Sequence, residues 1–269
     1  MIYFTPDAPP EYAKVGVTKQ RTGYFASRSA AMGEVGAEVV IASFYNFDPG
    51  LVRHAMRDVW SITTAPAMLE ARLRAADTSL SRAFDALLMS SQVVAEAASV
   101  ARAAAMVACE HTEGRPLFAG HAALPWPDAP HLVLWHAQTL LREFRGDGHI
   151  AALAVEGLSG IEALITHAAS GDVPAETLRV TRAWSPDAWA AGIAELVDRG
   201  IVQPDGSFTD GGRAQRRRIE EMTDRLAVAP YAAVGEAGCD LLRTAGRELT
   251  RAVMDAGLLT VDLARLDEG

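Results

Sequence analysis

Residues 132–157, LVLWHAQTLLREFRGDGHIAALAVEG, constrain this chain more than any other segment. They set His136, Glu143, Arg145, Asp147 and His149 inside an otherwise apolar run. Apolar side chains recur at helical spacing on both sides of RGDGH, which predicts one helix ending there and a second opening at His149. Charged groups buried at such a junction need partners, so the segment is the first place to expect a lined pocket.

The rest of the chain bounds what that pocket can serve. Apolar residues make up 49% of the 269, enough for one large domain or two smaller ones. Arg and Lys number 25 against 34 Asp and Glu, a formal charge of −9. That sign argues against a surface that tracks nucleic acid along its whole length, because neutralising phosphates takes clustered basic residues. Cys109 and Cys239 stand far apart with no CxxC pairing, which predicts buried thiols in a reducing cytoplasm rather than a disulfide framework or a thiolate zinc site. No apolar run reaches the 18 or so residues that would span a bilayer, and the first residues lack a signal-peptide pattern.

Taken in order, the chain reads as helices. Asp48-Pro49 opens one by capping and by a proline at the first position, and 67–84 forms another with Met68, Leu69, Leu73, Leu80 and Phe84 on one face. An alanine-dense helix follows at 92–110. Prolines at 116, 125, 127 and 130 then forbid regular structure over most of 114–130, which is read as the connector between an N-terminal half, 1–113, and a C-terminal half, 131–269. Further on come a helix at 161–169, a short one ending at Trp184, and one capped by Ser185 with Pro186 at its first position. Two short extended runs flank the Pro204-Asp205-Gly206 turn, and long helices occupy 213–228 and 238–254.

Helix, helix, helix, hairpin, helix is the order of a winged helix-turn-helix module. The stretch AELVDRGIVQPDGSFTDGGRAQ resembles the recognition helix, wing and following helix of MarR-type regulators, whose hairpin ends in a threonine capping the next helix. Residues 37–56 and 148–167 also echo one another without gaps, each a small-residue helix that breaks and reopens at a capping Asp48 or Ser159. The expected fold is therefore mainly α with short β wings, a tandem winged helix-turn-helix pseudo-dimer in one chain. Together with RGDGHIAAL, LPWP and DRLAVAPYAAVGEAG, the whole chain resembles an actinobacterial family of SalK-type, MarR-like helix-turn-helix proteins. That resemblance implies a fold and, loosely, regulation; it implies no reaction.

The expected recognition helix is poorly suited to DNA. Its outward positions are Asp187, Ala190, Ala191, Glu195 and Asp198, and the wing offers Asp205 and Asp210 without a basic residue. Arg213, Arg216, Arg217 and Arg218 form the one basic run, within salt-bridge spacing of Glu220, Glu221 and Asp224. DNA binding is expected to be weak or lost.

A ligand site is expected instead in a central groove between the halves, since pockets favour such places. His149, as a neutral base at a helix start, and Glu38, at the equivalent position of the other half, are the catalytic candidates. Tyr24, Arg28, Tyr45, Asn46, His136, Glu143, Arg145 and Asp147 are the candidate ligand-binding residues, Arg145 as an anion clamp. His121, His136 and His149 are the candidate ligands should a divalent metal or haem be bound, although no diagnostic spacing marks them. No Gly-rich phosphate loop and no GxSxG elbow is present. The leading expectation is a small-molecule-binding protein, either sensor or repurposed enzyme of specialised metabolism. The partner would be a small organic molecule, with no membrane, and the chain a monomer or homodimer. The alternatives are a MarR-like transcriptional regulator and a His-liganded metal or haem enzyme.

Overall fold

The computed structural model describes residues 2–258. Its helices in chain order are α1 (Ala8–Ala13), α2 (Gln20–Ser29), α3 (Ala37–Phe44), α4 (Pro49–Met56), α5 (Val59–Ile62), α6 (Ala65–Ala83), α7 (Ala86–Met89), α8 (Gln92–Ala108), α9 (Pro116–Ala122), α10 (Pro130–Val155), α11 (Gly160–Ala169), α12 (Ala175–Thr181), α13 (Pro186–Asp198), α14 (Asp210–Ala227) and α15 (Ala229–Asp255). Short 3-10 turns cover Ile2–Phe4 and Ala30–Met32.

The chain forms two compact units, and it passes between them more than once. Unit 1 comprises Met1–Val35, Asp58–Phe144 and Ala227–Gly269; unit 2 comprises Gly36–Arg57 and Arg145–Leu226. The Pro-rich stretch 114–130 lies wholly within unit 1, where Pro116 serves as the first residue of α9.

Unit 1 is built on small residues. Ala97, Ala98, Ala101, Ala104, Ala105 and Ala108 face inward along α8, and α15 packs on that stripe with Ala245 and Leu249. Side chains this short let two helix backbones approach closely, while Phe118, Leu140 and Phe144 supply the volume beside them. On α6 the buried stripe is Met68, Ala71, Arg72, Ala75, Ala76 and Ser79, whereas Leu73, expected inside, is 36% exposed. The face is rotated because the small residues, and not the leucines, sit at the close helix contacts.

Unit 2 holds a three-helix core of α11, α12 and α13 with α14 behind them, centred on Leu164, Ile165, Leu178, Leu196 and Ile219. The capping signals work as expected from sequence. Asp48 accepts the N–H of Leu51, Ser185 that of Ala188, and Thr209 that of Gly212, while Ser159 and Glu162 form a reciprocal capping box at α11. Gly160 permits a close crossing there: a Cβ on it would lie 2.0 Å from the Tyr45 carbonyl oxygen.

Three expectations are corrected. Among the described residues there is no β-strand, so there are no wings; the segment 201–209 makes one isolated antiparallel bridge, Val202 to Phe208. Pro204, Asp205 and Gly206 do reverse the chain, but the pairing beyond them stops at the Gln203 N–H to Ser207 carbonyl and Thr209 N–H to Ile201 carbonyl bonds. Second, the tandem pseudo-dimer is not formed, since both echoing segments, 37–56 and 148–167, belong to the same unit. Third, RGDGH is no turn. α10 runs unbroken through Gly146 and Gly148, so His149 stands in mid-helix while Glu38 sits in the first turn of α3. Glycine inside a helix costs about 1 kcal/mol relative to alanine, and burial of the flanking Leu141, Phe144, Ala152 and Leu153 outweighs that.

Candidate functional site

Unit 1 encloses a cavity of about 480 Å³. α10 supplies one wall through a stripe at helical spacing, His131, Leu134, Trp135, Gln138, Thr139 and Arg142, and Glu143 extends it. α6 contributes Ser79 and Leu80, α15 contributes Leu242, Ala245, Leu249 and Val253, and Tyr3 closes one side. The lining is mostly apolar; its charged groups lie on α10, and the hydroxyls of Thr5, Ser79 and Thr250 add neutral polar points elsewhere. This is the size and character of a small-molecule pocket.

The polar end is organised around one carboxylate. Glu143 has its side chain 4% exposed, and Arg28 Nη2 donates to both of its oxygens at 3.0 and 3.1 Å. Arg142 Nη1 donates to Oε1 at 2.6 Å from the exposed side, and Arg28 Nη1 donates to the Tyr24 hydroxyl at 2.8 Å. The guanidinium charges hold the Glu143 carboxyl below the usual range against the opposing effect of burial. Tyr24 and Arg28, one turn apart on α2, thus meet Glu143 of α10, a grouping that the sequence did not foretell although each residue was a candidate.

A second guanidinium lies beside them that the sequence reading did not single out. Arg72 is 1% exposed. Its charged head sits 5.6 Å from the Tyr3 ring centre and 5.0 Å from that of Trp135, and Nη1 donates to the Ser27 carbonyl at 3.3 Å. Nη1 also lies 2.7 Å from His121 Nε2. The other ring nitrogen of His121, Nδ1, is 2.8 Å from the Leu117 carbonyl, which can only accept. Nδ1 therefore carries the proton and the bare Nε2 accepts from Arg72. Burial and the Arg72 charge push the His121 pKa down to about 3.

His136 faces elsewhere. It packs edge-on against Trp126 with ring centres 4.8 Å apart, its Nε2 has no hydrogen-bond partner, and burial followed by Arg72 lowers its pKa to about 4. His131, on the cavity wall, donates Nε2–H to Asp77 Oδ1 at 2.6 Å. Cys109 and Cys239 are half-buried free thiols rather than buried ones, and burial raises the pKa of Cys109.

The remaining candidates belong to unit 2 and do separate jobs. Glu38 is an exposed partner of Arg53, at 2.7 and 3.2 Å. His149 Nδ1 lies 2.9 Å from Thr223 Oγ1, whose own proton goes to the Ile219 carbonyl, so Nδ1 donates and His149 is a neutral imidazole lowered in pKa chiefly by burial. Arg145 pairs with Glu220 at 3.3 Å, and Asp147 is buried on α10. Tyr45 donates its hydroxyl proton to the Leu158 carbonyl, while the Asn46 carbonyl accepts from the Trp184 indole at 2.9 Å. Tyr45 and Asn46 therefore tie the end of α3 to its neighbours within unit 2. Among the described residues no three His, Cys, Asp or Glu side chains assemble as a metal site.

The helices of unit 2 also settle what α13 presents. Trp189, Gly192 and Leu196 point inward, leaving Asp187, Ala190, Ala191, Ala194, Glu195 and Asp198 outside. Arg199, at its end, is drawn back onto Glu162 at 2.5 Å and the Gly157 carbonyl at 3.1 Å. A profile of the helix-turn-helix family matches residues 1–260. The chain belongs to the helix-turn-helix family. No curated protein and no solved structure matches it. Among the described residues of this helix-turn-helix protein, no single helix is long and apolar enough to cross a membrane.

Proposed function

We propose that this helix-turn-helix family protein binds a small, largely apolar organic molecule in the cavity of unit 1, as a sensor, and that α13 does not hold operator DNA. The observation that carries the reading is the roughly 480 Å³ cavity itself, with an aliphatic body and a polar end fixed by Arg28 and Glu143. The acidic outer face of α13 supports its second half, because an approach to phosphates would be repelled. In α14, Arg213, Arg216 and Arg218 are already paired with Asp210, Glu220 and Glu156. The SalK-type kinship suggested by RGDGHIAAL and LPWP is part of the same proposal.

Fluorescence titration with an apolar naphthalene dye tests it. The wild-type chain is expected to bind the dye in saturable fashion. Gly246→Phe, which places a ring at the cavity from α15 at a position where an added Cβ meets nothing within 4 Å, is expected to weaken that binding at least roughly tenfold with unchanged far-ultraviolet circular dichroism. Equal binding by both proteins would count against the cavity as the site. The family match itself favours a second reading, a DNA-binding regulator. Tight, sequence-selective retardation of the chain's own upstream DNA at low salt would establish that reading and defeat the first.

A further inference from the structure

The charges around the cavity are unequal, and the inequality names a ligand class. Arg28 and Arg142 both pair with the one carboxylate of Glu143, and a third guanidinium, Arg72, lies against the cavity-lining ring of Tyr3. Arg28 and Arg72 lie 5.7 and 5.6 Å from the centre of one ring, Tyr3, which itself lines the cavity, and Arg72 stacks on Trp135, which lines it too. Among the described residues Arg72 forms no ion pair: its contacts are a carbonyl, two rings and a neutral imidazole. Its Nε has no hydrogen-bond partner. A guanidinium 1% exposed and unmatched by a carboxylate is expensive to keep charged in a low-dielectric interior. The carboxylates bonded to other lining residues have partners of their own: Asp7, which accepts from Ser79, is paired with Arg82, and the half-exposed Asp77 accepts from His131.

The mouth continues the pattern. Gln138 and Arg142, one helical turn apart on α10, line the cavity and are exposed, so both can turn a donor toward an incoming group. Behind this polar end the walls are Leu80, Leu134, Leu242, Leu249 and Val253.

Building on the small-molecule reading above, we infer that the ligand is an apolar monocarboxylate. Its carboxylate sits at the end of the cavity marked by Tyr3, Gln138 and Arg142, and its hydrocarbon body lies between α10 and α15. Part of the binding energy comes from matching the excess positive charge, so a neutral molecule of the same length and shape binds less well.

Decanoate and decan-1-ol, compared as competitors of the naphthalene dye on the full chain, test this. Decanoate is expected to displace the dye at roughly one-tenth the concentration that decanol needs. Arg142→Gln, a change at a half-exposed side chain that the fold tolerates, is expected to shrink that preference to about threefold or less while leaving decanol unchanged. Equal or stronger displacement by decanol, or an undiminished preference in Arg142→Gln, overturns the inference and leaves the cavity reading intact. A dye that binds but yields to neither competitor does the same. Failure of the dye itself to bind the wild type overturns both.

Discussion

Glu143→Ala is expected to lower the stability of the chain by about 3–5 kcal/mol, since it strands the Arg28 guanidinium in an interior where that charge is 8% exposed at its side chain. The pair itself is not the source of that figure. Replacing both partners by apolar groups would cost far less, because two charges must first be taken out of water. What the single variant removes is the compensation for a charge that Arg28 cannot shed, its own pKa being raised by Tyr24 and Glu143. Tyr24 would remain as an acceptor at 2.8 Å and would soften the loss only in part. Glu143→Gln keeps an amide oxygen for Arg28 and is expected to cost about half as much. Thermal unfolding followed by circular dichroism should show the alanine variant melting roughly 6–20 °C below the wild type. A fall of only a degree or two would mean that the pair is not the anchor of the polar end.

Acid should begin to destabilise the protein near pH 6, before its carboxylates titrate. Histidines in the unfolded chain take up protons near pH 6.5, but His121 does so only near 3 and His136 near 4 in the folded one. Both folded values are depressed, so between these limits the unfolded state holds the extra protons and stability falls as pH falls. Each histidine withdraws about 1.4 kcal/mol per pH unit, and the two together about 5 kcal/mol by pH 4.5. That is comparable with the whole stability of many domains. Glu143, also depressed, adds its loss only at lower pH still. Urea unfolding at pH 7.5, 6.0 and 4.5 checks the slope. His136→Phe, which keeps a ring against Trp126, is expected to remain folded to a lower pH than the wild type; an unchanged acid midpoint would show that the ring is not held neutral by its surroundings.

How far the sequence reading reached follows from which signals are local. Caps are local, and Asp48-Pro49, Ser159, Ser185-Pro186 and Thr209 all open the helices that their side chains predict. Tyr24, Arg28 and Glu143 were singled out one by one, but their meeting was not legible, because nothing local says which carboxylate a guanidinium 115 positions away will take. Arg72 was missed although its position carried a signal: it lies four residues after Met68 and seven before Ser79, on a stripe of alanines. Reading the leucines of α6 as the buried face put Arg72 outside. RGDGH misled for the opposite reason, since two glycines weaken a helix locally while the decisive term, burial along the rest of α10, is not local at all. The wing failed because turn residues specify a reversal of the chain but not how many ladder bonds follow it. Glu38 and His149 were joined by an echo whose two copies fold into one unit, and there each has a nearer partner.

The claim that everything else rests on is the location of the ligand. Methyl resonances of the leucines and valines, followed while decanoate is added to the full chain, place it directly. The account predicts shifts concentrated at Leu80, Leu134, Leu242, Leu249 and Val253 in unit 1, with Leu164, Leu196 and Val202 of unit 2 unmoved. Shifts centred on the unit 2 methyls, or none at any cavity residue, would contradict it.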